Sequence, residues 1–389
     1  MRICIVTSES LPPREGIGFY VWNLARYLVS DGIQVQIITR GSASPTSLKI
    51  VDNIPIWRVP FVPVYPYHVH MHGLFVNQVA QKLAPTVDLF HFHSPLVPWF
   101  NTSRPTLITV HTPMKADAAS IPANSLLGLL VHLQLPVSHR LEQSMFHRAD
   151  RLVAVASSVA HELTEYGVDP RKVAVLGNGV DTKSFFVDGS APDENSPYVF
   201  TAGRLGPRKG IEDLICCAEQ VIRIFPRLRF LIAGSGAFQQ RLQAEIQRRK
   251  LDANVFLIGH IEDRAHMADL YRGAMAYIHP AHYEGLPTVL LEAMACARPV
   301  IATAVSGALD VVQHEQNGLL VAPRAPNEMA TAIIRLLQDP ALSTRLGASA
   351  CQTIEDRYSW RIVAQNYRAQ YESLLSGAQP CRTGSRQFA

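Results

Sequence analysis

The sequence predicts an α/β protein made of two doubly wound, parallel-sheet halves in tandem. Three observations carry that expectation. Short β-branched runs alternate with segments of helical periodicity, the pattern of βαβ units with helices on both faces of a parallel sheet. The alternation halts at residues 187–197 (VDGSAPDENSP), a polar stretch rich in Pro, Gly and Asp, and then restarts. And 389 residues exceed one typical core but suit two domains.

The elements follow in order. Residues 2–7 (RICIVT) read as a first strand, and Tyr20, Leu24, Tyr27 and Leu28 stand at helical spacing in a helix over 18–30 that Gly32 stops. Strands are expected at 33–39, 54–59, 88–92, 106–110, 150–155 and 172–175, and helices at 70–83, 124–147 and 157–166. After the polar stretch come strands at 198–203, 228–233, 255–258, 275–279 and 299–302. Between them lie helices at 210–224, 236–250, 264–273 and 287–296. Three helices close the chain at 326–338, 341–354 and 359–375, and the polar tail from Gly377 is expected to be disordered. In doubly wound sheets ligands sit at the carboxyl ends of strands, so two facing halves would place chemistry in the cleft where both sets of loops meet.

Composition sets the outer limits. Hydrophobic residues make up 48% and charged residues 17%, as in ordinary globular proteins. The net charge of +4, without a dense Lys/Arg run, suits anionic small molecules or anionic lipid and is too small to argue for nucleic acid, which is not expected as a partner. The start, MRICIVTSES, lacks the order of a secretory signal. The most apolar long stretch, Ile121 to Val137, is broken by Pro122, Gly128, His132 and Pro136 and is too short to span a bilayer. The six cysteines form no CxxC pair and read as buried thiols in a reducing cytoplasm.

Several motifs could carry chemistry. In 203–210 (GRLGPRKG), Arg204 and Lys209 stand five apart between a strand end and a helix start. An Arg fork, a Lys point charge and a helix amino terminus together suit a diphosphate, the alternative being two solvated surface cations. Gly16 and Gly18 open the first helix, where small residues permit close backbone approach; a dinucleotide-type G-x-G-x-x-G is excluded by Phe19, Tyr20 and Val21. His111 follows the strand TLITV at its carboxyl end, where a neutral imidazole could bond a hydroxyl. In 282–300 (HYEGLPTVLLEAMACARPV), Glu284 and Glu292 lie eight positions apart, about 80° beyond two helical turns, so both can flank one ligand beside the amides of Gly285, Leu286, Thr288 and Val289. Glu292 lies among Leu290, Leu291, Ala293 and Met294 and therefore requires a partner.

Other features invite weaker readings. His68, His70 and His72, with His91 and His93, could line a strand face as metal ligands, but no Cys or carboxylate nearby completes a set. No Asp-x-Asp, a common holder of a divalent cation on a nucleotide diphosphate, occurs. Residues 121–151 join an apolar segment to His132, His139, Arg140, His147, Arg148 and Arg151. That segment reads as a helix hairpin packed on the sheet, the alternative being contact with an anionic bilayer.

Together the pieces resemble the retaining GT-B glycosyltransferases of the large family 4 group. NGVD at 178–181, GRLGPRKG at 203–210, LIAGSG at 231–236, GLPTVLLEAMACARPVIAT at 285–303 and NGLLV at 317–321 stand in that family's order, and the Glu284–Glu292 spacing matches its E-x7-E signature. The resemblance implies a GT-B fold of two Rossmann-like domains facing a central cleft. Its divisions are an acceptor-binding domain over 1–185, a nucleotide-sugar donor domain over 198–356, a helix over 359–376 that crosses back to the first domain, and a flexible tail over 377–389.

It also implies roles. Arg204 and Lys209 grip the donor diphosphate, Glu292 bonds the ribose, and Glu284 with the neighbouring amides contacts the sugar. His111 lies against the sugar near the reacting carbon, and Gly16 approaches the phosphates. The base meets 256–262 (FLIGHIE), which adds His260 to the donor contacts. The family usually has a Gly-Gly pair in the first loop; here Glu15 takes the earlier place. The implied reaction is metal-independent hexosyl transfer to an acceptor hydroxyl, carbohydrate or lipid-linked. It needs no cofactor beyond the nucleotide sugar and takes place in the cytoplasm or at the inner face of the membrane. A non-catalytic partner subunit that kept the fold and a nucleotide-sugar epimerase are the competing readings.

Overall fold

The computed structural model describes residues 1–11, 13, 16–42, 45–62, 68–94, 101–115, 126–189 and 195–377, without the side chains of 126–132 and 134. Glu15, the middle of the polar stretch, the start of the 121–151 segment and the tail from residue 378 with Cys381 lie outside these residues. The chain forms two compact units. One comprises Met1–Asn178 and the chain from Val363 onward; the other is Gly179–Ile362. The division at 178/179 precedes the polar stretch at 187–197 because Gly179, Val180 and Phe185 already belong to the second unit.

The first unit holds an eight-stranded sheet: β1 (Arg2–Val6), β2 (Gln34–Arg40), β3 (Ser47–Val51), β4 (Ile54–Val59), β5 (Leu89–Ser94), β6 (Thr106–Val110), β7 (Arg151–Ala154) and β8 (Val173–Val175), in the order β3-β4-β2-β1-β5-β6-β7-β8. All neighbours run parallel except β3 and β4. Ile3, Cys4, Ile5 and Val6 are all buried, as expected of a central strand covered on both faces. Strand β3 was not expected. Its burial is nearly uniform and exposed, so it shows no in–out alternation. A tight turn with Asp52 at φ 49° and Asn53 at φ 63° folds it back on β4, and that dipeptide was the available signal.

Two expectations in this unit are corrected. His68, His70 and His72 are not on a strand but in the helix His68–Leu83, where His68 and His72 share a buried face against Phe61 and His70 is exposed. Among the described residues no group of three His, Cys, Asp or Glu side chains converges in a way that could hold a metal ion. The 121–151 segment holds one continuous helix, Leu126–Arg148, rather than a hairpin. Pro136 sits inside it, and the loss of one backbone bond does not end a helix whose later turns bury Met145 and Phe146. No described helix is long and apolar enough to cross a membrane.

The second unit holds six parallel strands: β9 (Tyr198–Ala202), β10 (Arg229–Ala233), β11 (Val255–Gly259), β12 (Ala276–His279), β13 (Val300–Thr303) and β14 (Leu319–Val321), in the order β11-β10-β9-β12-β13-β14. Its core joins Ile211, Leu214, Ile215 and Ala218 of the helix Ile211–Val221 to Phe230, Ile232, Ile278 and Ile301 of the sheet. The short strand β14 and the helix Ser306–Val311 were not expected; at three and six residues they are too brief to show a period.

The last helix, Trp360–Leu375, buries Tyr367, Gln370 and Tyr371 in the first unit. Tyr20 Oη donates to Tyr367 Oη at 2.8 Å, Tyr367 Oη meets Thr109 Oγ1 at 2.7 Å, and Tyr371 Oη meets His91 Nδ1 at 2.8 Å. Arg151 Nη1 donates to the Gln370 carbonyl at 3.1 Å and to its side chain at 3.2 Å. The start of this helix is seated on the NGVD turn. Val180 N donates to the Tyr358 carbonyl, Trp360 N to the Val180 carbonyl, and the Trp360 ring fills the place of a side chain at Gly179. A Cβ at Gly179 would fall 2.4 Å from a ring carbon of Trp360. Gly179→Ala is therefore expected to cost about 1–3 kcal/mol in urea unfolding, and pairing it with Trp360→Leu should recover part of the loss; equal stability of Gly179→Ala and the parent chain would contradict this packing.

Candidate active site

Strand order reverses between β9 and β12 in the second unit, and the loops after those two strands carry Arg204, Lys209 and Glu284. Such a reversal leaves a crevice at the carboxyl ends of the strands. The two loops touch through their backbones. His282 N donates to the Arg208 carbonyl at 2.8 Å, and the His282 ring meets Asp213 Oδ2 at 2.6 Å through Nε2. Gly210 closes the first loop at φ 64°, and a Cβ there would stand 1.8 Å from the Pro280 carbonyl oxygen. Only glycine permits both that conformation and that approach.

This contact brings Lys209 onto Glu284. The Lys209 ammonium is paired with Glu284 Oε2, and the two side chains are only 19% and 17% exposed. Burial pushes the Glu284 carboxyl up, but the Lys209 ammonium, with Arg208, outweighs this and holds it below the ordinary carboxylate value. The Glu284 carbonyl accepts from Ser306 Oγ at 2.8 Å and Gly307 N at 3.3 Å, which fixes the loop on the start of the helix Ser306–Val311. The helix Thr288–Ala295 then begins after Pro287 with no side chain capping it. Its amino terminus thus faces the loop that bears Glu284 with the positive end of its dipole. Arg204, on the same loop as Lys209, is exposed. Thr288 is exposed, Gly285 and Val289 are partly buried and Leu286 is buried. His260 is exposed just past the end of β11.

Glu292 finds its required partner in Tyr271, whose hydroxyl donates to Glu292 Oε2 at 3.0 Å. Burial pushes the Glu292 carboxyl up to about 7, against the pull of Arg264 and the Tyr271 hydroxyl. Arg264 itself stacks over Phe185 at 4.9 Å and faces Asp181 at 3.9 Å. His279, the last residue of β12, is 2% exposed, and both its ring nitrogens lack a partner among the described residues. Burial holds its pKa down to about 4, so the ring is neutral beside the Lys209–Glu284 pair.

The other predicted residues lie in the first unit. Gly16, at φ 47°, and Gly18 start the helix Gly16–Ser30, and Tyr20 of that helix packs edge-on against His111 with centroids 4.7 Å apart. His111 Nε2 meets His93 Nδ1 at 3.1 Å, and burial lowers the His111 pKa to about 3. The loop after His111 is pinned by Glu142, whose carboxylate accepts from Met114 N at 3.0 Å, Ser94 Oγ at 2.8 Å and Tyr166 Oη at 3.1 Å. Sequence reasoning missed Glu142, Tyr271, His279 and the role of His93. An acidic residue inside an apolar helix pattern signalled Glu142; the other three reveal themselves only through contacts distant in sequence.

The raised Glu292 carboxyl gives a pH prediction. Its ordinary value is 4.5, so the unfolded chain releases the proton near that pH while the folded chain keeps it to about 7. Its favourable contribution is complete below the lower value and is lost as pH rises through the upper one. Urea midpoints for the parent chain and Glu292→Gln at pH 5 and pH 8 should therefore show the parent losing stability relative to the variant; parallel behaviour would refute the raised carboxyl.

Comparison with known proteins gives the family. The model of the Glycosyltransferase Family 4 matches residues 14–184, and that of the Glycosyl transferases group 1 matches residues 183–353. A D-inositol 3-phosphate glycosyltransferase of Kineococcus radiotolerans is 29% identical over 90% of this chain and 88% of its own. A glycogen synthase of Mycobacterium tuberculosis is 25% identical over 94% and 92%. Among solved structures, a sucrose-phosphate synthase from Thermosynechococcus elongatus superposes with a TM-score of 0.80 at 24% identity, covering 97% of this chain and 100% of that one. Anabaena HepE in complex with UDP-glucose gives 0.70 at 19% identity, covering 96% and 99%. With two parallel-sheet Rossmann-like domains and these matches, the chain belongs to the group 1, family 4 glycosyltransferases and is a transferase of the GT-B type.

Proposed function

We propose that the chain moves a hexosyl group from a nucleotide-diphosphate sugar to an acceptor hydroxyl with retention at the anomeric carbon and without a metal. The observation that carries this reading is the Lys209 ammonium, held by Glu284 at the strand-order reversal beside an uncapped helix amino terminus. A diphosphate leaving from a sugar gains negative charge, and fixed cations and amide dipoles stabilise it in a partly desolvated site. In this reading the diphosphate draws Lys209 and Arg204 to itself. Glu284 is then released to accept from sugar hydroxyls along with the amides of Gly285, Leu286, Thr288 and Val289. Glu292 accepts from the ribose hydroxyls, taking over the role for which Tyr271 now holds it.

The step balances without an enzyme-bound intermediate. The bond from the anomeric carbon to the phosphate oxygen breaks, and its electron pair goes to the diphosphate. The acceptor oxygen bonds to the same face of that carbon, and its proton passes to the leaving phosphate. As the family resemblance implies, His111 contributes a neutral ring beside the sugar and Gly16 approaches the phosphates. His260 lies on the segment that meets the base. Loops of the first unit select a carbohydrate or lipid-linked acceptor, and the basic 121–151 segment suits an anionic membrane surface. That HepE is found with UDP-glucose supports the donor class.

A panel of nucleotide sugars tests the reading. A true donor present at 100 times its Kd should add about 2.7 kcal/mol of stability in a thermal shift. With that donor and an acceptor, Lys209→Ala should lower kcat by about 10²–10³, and a chelator should leave the parent rate unchanged. An undiminished rate in Lys209→Ala would end the phosphate assignment, loss of rate on chelation the metal-independent one, and a sugar–carboxylate adduct the same-face route.

A further inference from the structure

We infer that His93 is a positioning residue that holds His111 in the tautomer with its proton on Nδ1, so that His111 presents an N–H donor and no basic nitrogen. The argument is proton accounting. His93 lies on β5 and His111 just past the end of the adjacent β6, and their rings lie within 22° of parallel with His93 Nδ1 at 3.1 Å from His111 Nε2. Burial keeps both imidazoles neutral, so each ring carries one N–H. One of the two protons lies in the bridge. The other must sit on the outer nitrogen of whichever ring accepts the bridge, and that nitrogen is either His93 Nε2 or His111 Nδ1.

The surroundings of His93 decide between them. His93 Nε2 is buried with no partner among the described residues. His91 and Tyr20, which pack against its ring, do not supply one. His91 uses Nε2 on Thr109 and Nδ1 on Tyr371, while the Tyr20 hydroxyl donates to Tyr367. A proton on His93 Nε2 would be an orphaned buried N–H, which is rarer in proteins than an unused lone pair. His111 is partly exposed, and its Nδ1 is not among the buried unpartnered atoms. The proton therefore belongs on His111 Nδ1, with His93 Nδ1–H donating to His111 Nε2. A ring so fixed can donate to a sugar hydroxyl oxygen but cannot remove a proton from an acceptor, which leaves that proton to the diphosphate. This use of the donor rests on the proposed function; the tautomer does not.

The test is a long-range proton–nitrogen correlation spectrum of the ¹⁵N-histidine-labelled full chain, with His111 identified by its loss in His111→Gln. The expected spectrum shows His111 Nδ1 protonated and Nε2 bare. In His93→Phe the His111 proton should redistribute toward Nε2, and kcat should fall roughly tenfold, the scale of one lost hydrogen bond, with little change in donor KM. His93→Asn, which offers an amide N–H near the place of Nδ1, should restore the tautomer and most of the rate. A native spectrum with His111 protonated on Nε2, as a water accepting from a His93 Nε2–H would favour, overturns the inference. So does an unchanged His111 in folded His93→Phe. The spectrum needs neither donor nor acceptor, so it decides the tautomer even if the transferase chemistry proves different.

Discussion

The ion pair between Lys209 and Glu284 is the constraint around which the second unit's site is arranged. An ammonium and a carboxylate that are each less than one-fifth exposed depend on one another, because removal of either leaves an uncompensated charge in a partly dry place. The pair can form only because β9 and β12 are neighbours in the sheet and because Gly210 lets their loops meet backbone to backbone. From Glu284 the rest follows along the chain. Its carbonyl anchors the helix Ser306–Val311, the helix Thr288–Ala295 starts a few residues on, and Glu292 comes two turns later against Tyr271. The charge is balanced within the pair, and under the proposed function an incoming anion replaces one partner of Lys209 with another.

The first unit uses a different physical device. Around His111 the described residues form a neutral network of imidazoles and hydroxyls running from Tyr20 through Tyr367 and Thr109 to His91 and Tyr371. The network has a consistent direction. Tyr20 donates to Tyr367, Tyr367 can then donate to Thr109, and Thr109 to His91 Nε2, which leaves His91 Nδ1 to donate to Tyr371. Two of its members belong to the last helix, so Tyr367 and Tyr371 make the end of the chain part of the support beneath His91 and His93. In a neutral setting, proton position rather than charge decides what a side chain can offer to a ligand.

Much of this was legible from local pattern. The buried parallel strands announced themselves as apolar β-branched runs, and the helices by their period, because both signals are carried by residues close in sequence. The loop cations, His111 and the spacing of Glu284 and Glu292 were visible for the same reason. The misreadings also have physical causes. The exposed edge strand β3 lacks in–out alternation, His68 to His72 alternate in a way that fits a strand until the helix period of the following residues is extended back over them, and Pro136 suggested a break that a well-packed helix tolerates.

By itself, then, the sequence determined the two-sheet architecture, the places where loops meet strand ends, and which residue types stand there. Tertiary structure alone decided the partnerships. Lys209 and Glu284 are 75 residues apart, Tyr271 and Glu292 are 21 apart, and Tyr371 and His91 are 280 apart. Strand order sets such distances, and no periodicity records strand order, because an apolar strand reads the same whichever neighbour it pairs with. Whether a carboxylate is held low like Glu284 or pushed up like Glu292 depends on what the fold buries beside it, and that is settled only when the chain has closed.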